Sequence, residues 1–443
     1  MEHELEIAVA AIDAALAAGA TDAEATVNVS ERFSTEARDR EITKLEQSIG
    51  RALTLRVFRN GAKATLATTD LSEPRLRVLA REAVDAAAHV AADPFSGLPE
   101  SVASLEDDAR LGILATDVRE RAVRAKLDDA LELERAIREY DARISNSGGS
   151  RVADGTTTLV LANSRGFRGS YRASSASRST APIARDGANL RVAGYGSAAR
   201  GYAALESVAS IASTAARRAV ELCGARKPAT ARLPVIFERD VAAAVLADVF
   251  ASVSAANVAA GNSFLIDRTG ERIGSELVTI VDDGRLVGGL GTSPFDAEGV
   301  PTRRTVVFER GVLRTYLFDT YYGRKLGARS TANAASGGIG PNNFYLEPGA
   351  GSLAELIAAT PRGVLVVDTI GFAAEHVSGT YSRGARGFAI EGGELAGPLD
   401  EFTIAGNLAT MLGAIDAVAN DLRFDGAIVA PSFRVAEMTI SGS

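Results

Sequence analysis

The sequence predicts an α+β protein in two parts: an N-terminal helix and antiparallel-sheet domain over residues 1–225, and a β-rich C-terminal domain over residues 226–443. Three observations carry this. Apolar residues recur at helical spacing in a few separate segments, and alternating stretches punctuated by Gly-containing turns fill the intervals between them. A break at Gly224-Ala-Arg-Lys-Pro228 divides a chain of 443 residues, which is too long for one ordinary core at roughly 100 to 200 residues per domain.

Leu5, Val9, Ile12 and Leu16 share one helical face, and Gly19 behind them suits a C-cap. β-rich stretches follow at 24–30, 50–59 and 62–68, the last two joined by the hairpin dipeptide Asn60-Gly61. Ser72, ahead of Glu73 and Pro74, opens a helix with Leu76, Leu79, Ala83, Ala87 and Val90 on one side, ending before Pro94. Residues 93–111 read as a surface connection, and 117–140 as a charged amphipathic helix with Val123, Leu127, Leu131 and Ile137 inward. From 143 to 198 an antiparallel meander of short strands is expected. Its turns are expected at Gly148-Gly149, Asp154-Gly155, Arg165-Gly166 and Asp186-Gly187. A helix over 205–222, carrying Val208, Ile211, Ala215 and Ala219, closes the first domain. The second opens with a strand at 233–237 and a helix near 240–254. It is otherwise mostly β, with hairpins at 306–313 and 387–395 and short helices at 321–326, 352–359 and 407–418.

Composition excludes several classes. Hydrophobic residues at 46% and charged residues at 23% are those of a packed chain rather than a disordered one. The net charge of −8 and a pI near 5.3, with no basic run, argue against nucleic-acid binding, which depends on Lys and Arg neutralising phosphates. The longest apolar stretches, such as 8–18, are interrupted by Asp13 and fall short of the roughly 20 residues a membrane span needs. A single cysteine, Cys223, allows no intramolecular disulfide, and the acidic start Met1-Glu2-His3-Glu4 is unlike a signal peptide, so a cytoplasmic location is expected.

The residues on their own identify no catalytic and no metal site. A zinc peptidase needs two or three His, Cys or carboxylate ligands and a base. The only histidines, His3, His89 and His376, are far apart and have no second His or Cys within a helical turn. His3 and His89 are expected on exposed helix faces and His376 in a loop. Cys223 reads as a small core residue. No G-x-S-x-G elbow or S-x-x-K pair offers a serine nucleophile, and the tract Ser174-Ser175-Ala-Ser177 reads as an exposed strand face. Gly288-Gly289-Leu-Gly291 satisfies neither Rossmann nor P-loop spacing and reads as a tight turn. Asp282-Asp283, before Gly284, reads as turn chemistry.

A resemblance goes further. Asp282-Asp283, Gly288-Gly289-Leu-Gly291 and Phe295-Asp-Ala-Glu-Gly299-Val-Pro301-Thr-Arg303-Arg304-Thr closely resemble the signature of the TldD/PmbA family, formerly called modulator of DNA gyrase. Ser330-Thr-Ala-Asn333, Asn343-Phe-Tyr-Leu-Glu-Pro348-Gly349, Ser382-Arg383-Gly384, Val418-Ala-Asn-Asp421-Leu and Ala430-Pro431-Ser continue it. The similarity covers essentially the whole chain.

The resemblance implies paired subunits. TldD-type chains carry an H-E-x-x-x-H helix and a later cysteine that hold the metal, and PmbA (TldE)-type chains lack them. Here Ala247, Asp248 and Ser252 occupy the His, Glu and His places, and Gly426-Ala-Ile-Val-Ala-Pro431-Ser has no thiol. The implied protein is the zinc-less subunit of a heteromeric metalloprotease acting on unfolded or extended peptides. It would hold no cofactor itself, zinc being expected in a TldD-like metal-binding partner. Glu298, Gly299, Pro301, Arg303, Arg304, Thr331 and Asn333 are the candidates for facing the peptide cavity, although Gly299, Pro301 and Asn333 also read as residues that only fix loop geometry. Two alternatives stand beside this: a self-sufficient hydrolase using unrecognised carboxylates, and a non-enzymatic peptide-binding or scaffolding homodimer.

Overall fold

The computed structural model describes residues 1–100, 108–371 and 374–442. Helix α1 (Glu2–Ala17) is followed by strands β1 (Asp22–Arg38), β2 (Glu41–Arg59) and β3 (Ala62–Thr68), then by α2 (Glu73–Ala88), α3 (Asp117–Glu120) and α4 (Val123–Tyr140). Strands β4 (Ile144–Asn163), β5 (Arg168–Asp186), β6 (Asn189–Val192) and β7 (Tyr195–Ala199) and helix α5 (Val208–Glu221) complete the first part. The strands form one seven-stranded sheet in the order β3-β2-β1-β4-β5-β6, with β7 on β5. Asp39 and Arg40, both at positive φ, make the two-residue turn between β1 and β2.

On β1 the alternate residues Ala23, Ala25, Val27, Phe33, Thr35 and Ala37 are buried, so one face of the sheet is covered at both ends. Helices α1 and α2 pack on one end and α4 and α5 on the other. The packed face of α1 is Glu4, Ala8, Ala11, Ile12 and Ala15, rotated from the expected stripe so that Leu16 is exposed. The expected inward face of α4 is also corrected. Val123 is exposed, and the buried residues are Lys126, Ala130, Leu133, Glu134 and Ile137. Two charges face inward because each finds partners there. Lys126 pairs with Asp154 at 2.5 Å, and Glu134 accepts from Ser147 Oγ at 2.8 Å and Ser150 Oγ at 3.0 Å.

The meander has fewer and longer strands than expected. Gly148-Gly149 is a bulge within β4, at a register shift between Ser147 and Ser150. Gly155 lies mid-strand, where a Cβ would come within 2.6 Å of the Glu31 carbonyl oxygen. The turns at Arg165-Gly166 and Asp186-Gly187 are present. The connection expected over 93–111 falls partly outside the described residues, at 101–107. Its first part is docked rather than loose: Arg324 donates to the carbonyls of Phe95, Gly97 and Leu98, and Leu98 is buried.

The second part comprises β8 (Ala231–Phe237), α6 (Arg239–Val253), α7 (Ala255–Ala259), β9 (Ile280–Asp283), β10 (Arg304–Glu309), β11 (Val312–Leu313) and α8 (Thr320–Lys325). It continues through β12 (Ala334–Ala335), β13 (Gly338–Ile339), β14 (Phe344–Leu346), α9 (Leu353–Ala358), β15 (Arg362–Ile370), β16 (Thr380–Glu391) and β17 (Glu394–Asn407). It ends with α10 (Leu408–Gly413), β18 (Ile415–Val418), β19 (Ile428–Val429) and β20 (Phe433–Ser441). The helix expected over 407–418 is therefore two elements, since α10 stops at Gly413 and the chain re-enters a sheet as β18. One sheet runs β11-β10-β9-β14-β19; the other runs β17-β16-β15-β8-β20-β18, and an extra β17–β20 pairing closes it into a ring. Helix α6 lies in the apolar core between them, with Val245, Val249 and Val253 packed among residues of both sheets. No helix among the described residues is long and apolar enough to cross a membrane.

Candidate functional site

Helix α6 starts where β8 ends. Glu238 caps it by accepting from Asp240 N at 3.1 Å, and Arg239 N donates to Ser432 Oγ at 3.0 Å. Ser432 is itself held by Asp421, whose two carboxylate oxygens accept from its N and Oγ, each at 2.7 Å. This ties the first turn of α6 to the segment before β20, so the two stretches compared above with metal-binding segments are neighbours.

The side chains at the three helix positions do not form a metal site. Ala247 offers no donor. Asp248 is buried, with Oδ2 accepting from Arg383 Nη2 at 2.7 Å and Oδ1 accepting from Ala374 N at 3.3 Å; His376 Nε2 stands 3.6 Å from Oδ1. Ser252 Oγ donates back to the Asp248 carbonyl at 2.9 Å, a bond within the helix. Among the described residues no group of three or more His, Cys, Asp and Glu side chains could hold a metal ion. The donor set therefore does not fit zinc: one position is apolar, and the carboxylate is committed to an arginine. His3 and His89 are exposed, as expected. His376 lies in a turn but is half-buried against Asp248, a pairing that the sequence gives no sign of.

Beside α6 is a cavity of about 550 Å³. One wall is the small-residue face of the first sheet, at Gly148, Gly149, Ser179 and Gly196; the other is Ala243 of α6 with Gly426, Ile428 and Val429. β19 is the end strand of its sheet, and both of its residues line this space. At one side the Tyr195 hydroxyl accepts from Arg239 Nη2 at 2.8 Å and Arg423 Nη1 at 2.7 Å and donates to Glu206 at 2.8 Å. Burial, and then the Glu206 contact, raise the Tyr195 phenol above its ordinary pKa.

The seven candidate residues gather elsewhere, around two buried aspartates. Asp282 accepts from Asn333 Nδ2 at 2.7 Å and Asn342 Nδ2 at 2.9 Å, and Thr331 Oγ1 bonds to Asn333 Oδ1 at 2.6 Å. Asp296 accepts from the backbone N–H groups of Glu298, Val300 and Ala334. Burial lifts Asp282 to about 6 and Asp296 to about 8. Glu298 accepts from Thr320 N at 2.9 Å, Gly299 turns at φ +80 against the Phe167 ring, and Pro301 bridges to Phe295. Arg303 donates to the Ser330 carbonyl, and Arg304 pairs with Glu347 at 2.7 Å. None of the seven is among the residues lining the cavity at α6. Asp283 does perform turn chemistry, accepting from Arg285 N at 2.8 Å, but Asp282 is a buried hub and not a turn residue.

The glycine run is held from the first sheet, with Arg200 Nη2 donating to the carbonyls of Gly289, Leu290 and Thr292. A Cβ on Gly291 would fall 1.7 Å from the Asn342 carbonyl oxygen. Gly291→Ala should therefore destabilise the protein by at least about 2 kcal/mol through forced displacement of backbone, read as a lower midpoint in urea denaturation.

Comparison with known proteins agrees with this architecture. The models for PmbA/TldA metallopeptidase domain 1, central domain and C-terminal domain match residues 23–87, 116–222 and 230–442. The first two matched stretches contribute strands to the same seven-stranded sheet. The chain is 34% identical over its full length to a Haemophilus influenzae protein named metalloprotease PmbA homolog, covering 97% of it. It is 30% identical over 96% of its length to metalloprotease PmbA of Escherichia coli O157:H7, covering 94% of that chain. A Bacteroides thetaiotaomicron structure described as a modulator of DNA gyrase superposes with TM-score 0.93 at 26% identity, over 100% of both chains. TldE from Thermococcus kodakarensis shares the fold, with TM-score 0.88 at 22% identity, over 97% of this chain and 99% of that one. With three consecutive family domains matched and full-length relatives of the same name, the chain belongs to the PmbA/TldA metallopeptidase family.

Proposed function

We propose that this chain is the zinc-less subunit of a heteromeric, cytoplasmic metalloprotease, in which a TldD-like subunit supplies the metal and this one closes the cavity over an extended peptide. The observation that carries the reading is α6, where Asp248 is neutralised by Arg383 and Ala247 has no ligand atom. The cavity bordered by the end strand β19 supports the peptide part. Such a strand has backbone groups that an extended chain can pair with, independently of its side chains. Purification of the chain alone and together with a TldD-like subunit from the same organism tests this, with zinc content and cleavage of an unfolded peptide measured in parallel. Zinc and cleavage are expected only in the complex; a lone chain that binds zinc and cuts would overturn the proposal. Cavity binding without any cleavage in either sample would favour the peptide-binding homodimer.

A further inference from the structure

The outer side of β2 is only partly covered. β3 pairs with residues 53–59 of β2, and among the described residues no strand pairs with the same side of 41–52, which is an open edge of the seven-stranded sheet. Within β2, Leu53, Leu55 and Val57 are buried beneath the covering helices. Leu45 and Ile49 continue the same alternate stripe beyond those helices, where they are 53% and 74% exposed. A long edge bearing large apolar side chains is a template for strand pairing with another chain.

We propose that this edge pairs antiparallel with the same segment of a second copy of this chain, about a two-fold axis through Gln47. The sequence favours that register. Leu45 then lies opposite Ile49 of the second copy, and Ile49 opposite its Leu45, which makes two apolar pairs, one on each side of the central Gln47 pair, on the stripe that the helices leave bare. Thr43 faces Arg51, Lys44 faces Gly50 and Glu46 faces Ser48, so no like charges are opposed. An axis through Glu46 would set two carboxylates face to face, and one through Ser48 would put Leu45 opposite Arg51. Homotypic pairing is self-complementary and closes at two subunits, so it removes the edge instead of propagating it. The surface is separate from the cavity at α6 and does not depend on how the peptide reading fares.

Because Cys223 is the only cysteine, single cysteines placed on a Cys223→Ser background report this register. Directly opposed residues in an antiparallel pair sit about 4.5–5.5 Å apart at Cα, within disulfide range. Under mild oxidation Gln47→Cys should form a covalent dimer at least tenfold faster than Glu46→Cys or Ser48→Cys. Sedimentation equilibrium should show a dimer that becomes monomeric in Leu45→Lys/Ile49→Lys, while far-UV circular dichroism shows both still folded. A monomer at every concentration, equal cross-linking at 47 and 48, or a dimer that survives the double lysine variant would each overturn the proposal. So would cross-linking of Gln47→Cys solely to an added metal-bearing relative.

Discussion

Asp248→Ala is expected to destabilise the protein by about 3–5 kcal/mol, because it strands the Arg383 guanidinium in the interior without its counter-charge. The two side chains are 4% and 12% exposed, and Arg383 Nε has no hydrogen-bond partner among the described residues, so little water can take over the role of the carboxylate. Removing both charges together should be far milder. In Asp248→Leu/Arg383→Met, no ion is left to desolvate, and most of the lost stability should return. Urea denaturation of the two single variants and the double variant measures this as a cycle. If the double variant is as unstable as the two single effects added together, the pair is not coupled and the argument fails.

Glu24→Gln should flatten the dependence of stability on pH. Burial raises the Glu24 carboxyl to about 7 from its ordinary 4.5, Arg56 partly opposes this, and Glu298 adds to it. The folded chain thus keeps a proton that the unfolded chain releases above about pH 4.5. The contribution is fully present below that pH and is lost as pH rises through about 7. A difference of about 2.5 pKa units corresponds to about 3 kcal/mol at 1.36 kcal/mol per unit. At pH 8 Glu24→Gln should therefore be more stable than the natural protein by up to about this amount, and near pH 4.5 the two should be alike. Denaturation at both pH values decides it; equal profiles would mean that Glu24 is ionised throughout. Asp282 and Asp296 are shifted the same way, so some slope should remain in the variant.

The class and order of elements were legible because periodicity reports which face of each element meets the core. What was missed has identifiable causes. Gly155 looks like a turn residue beside Asp154, yet it is required where two strands approach too closely for a Cβ. Residues 31–49 carry too many charges to read as strand, although they extend β1 and β2 through continuous backbone pairing and the burial of Phe33, Thr35 and Ala37. On α4, pattern reading turned Lys126 and Glu134 outward, because a sequence does not display the Asp154, Ser147 and Ser150 that wait for them across the sheet.

The candidate site shows the same division. That Ala247 stands at a ligand place came from the family resemblance alone; residue chemistry adds only that alanine has no donor atom. The partner of Asp248 was not legible, since Arg383 lies 135 residues away and only the fold joins them. Of the motif residues, Asp282, Asp296, Thr331 and Asn333 are buried and hydrogen-bonded, and such groups need particular partners as strictly as a binding surface does, whereas Arg303 and Arg304 are exposed.

The shared sheet also bears on how the chain is made. β1 has β2 on one side, and its other neighbour, β4, ends at Asn163. A ribosome that has just released β1 and β2 must add more than a hundred further residues before the second neighbour exists. At synthesis rates of roughly 5–20 residues per second, that is a wait of about 5–21 s with one flank of β1 bare. During that interval the nascent hairpin is a natural client for a chaperone, and early truncation products of this protein should be removed by proteases rather than accumulate as folded fragments.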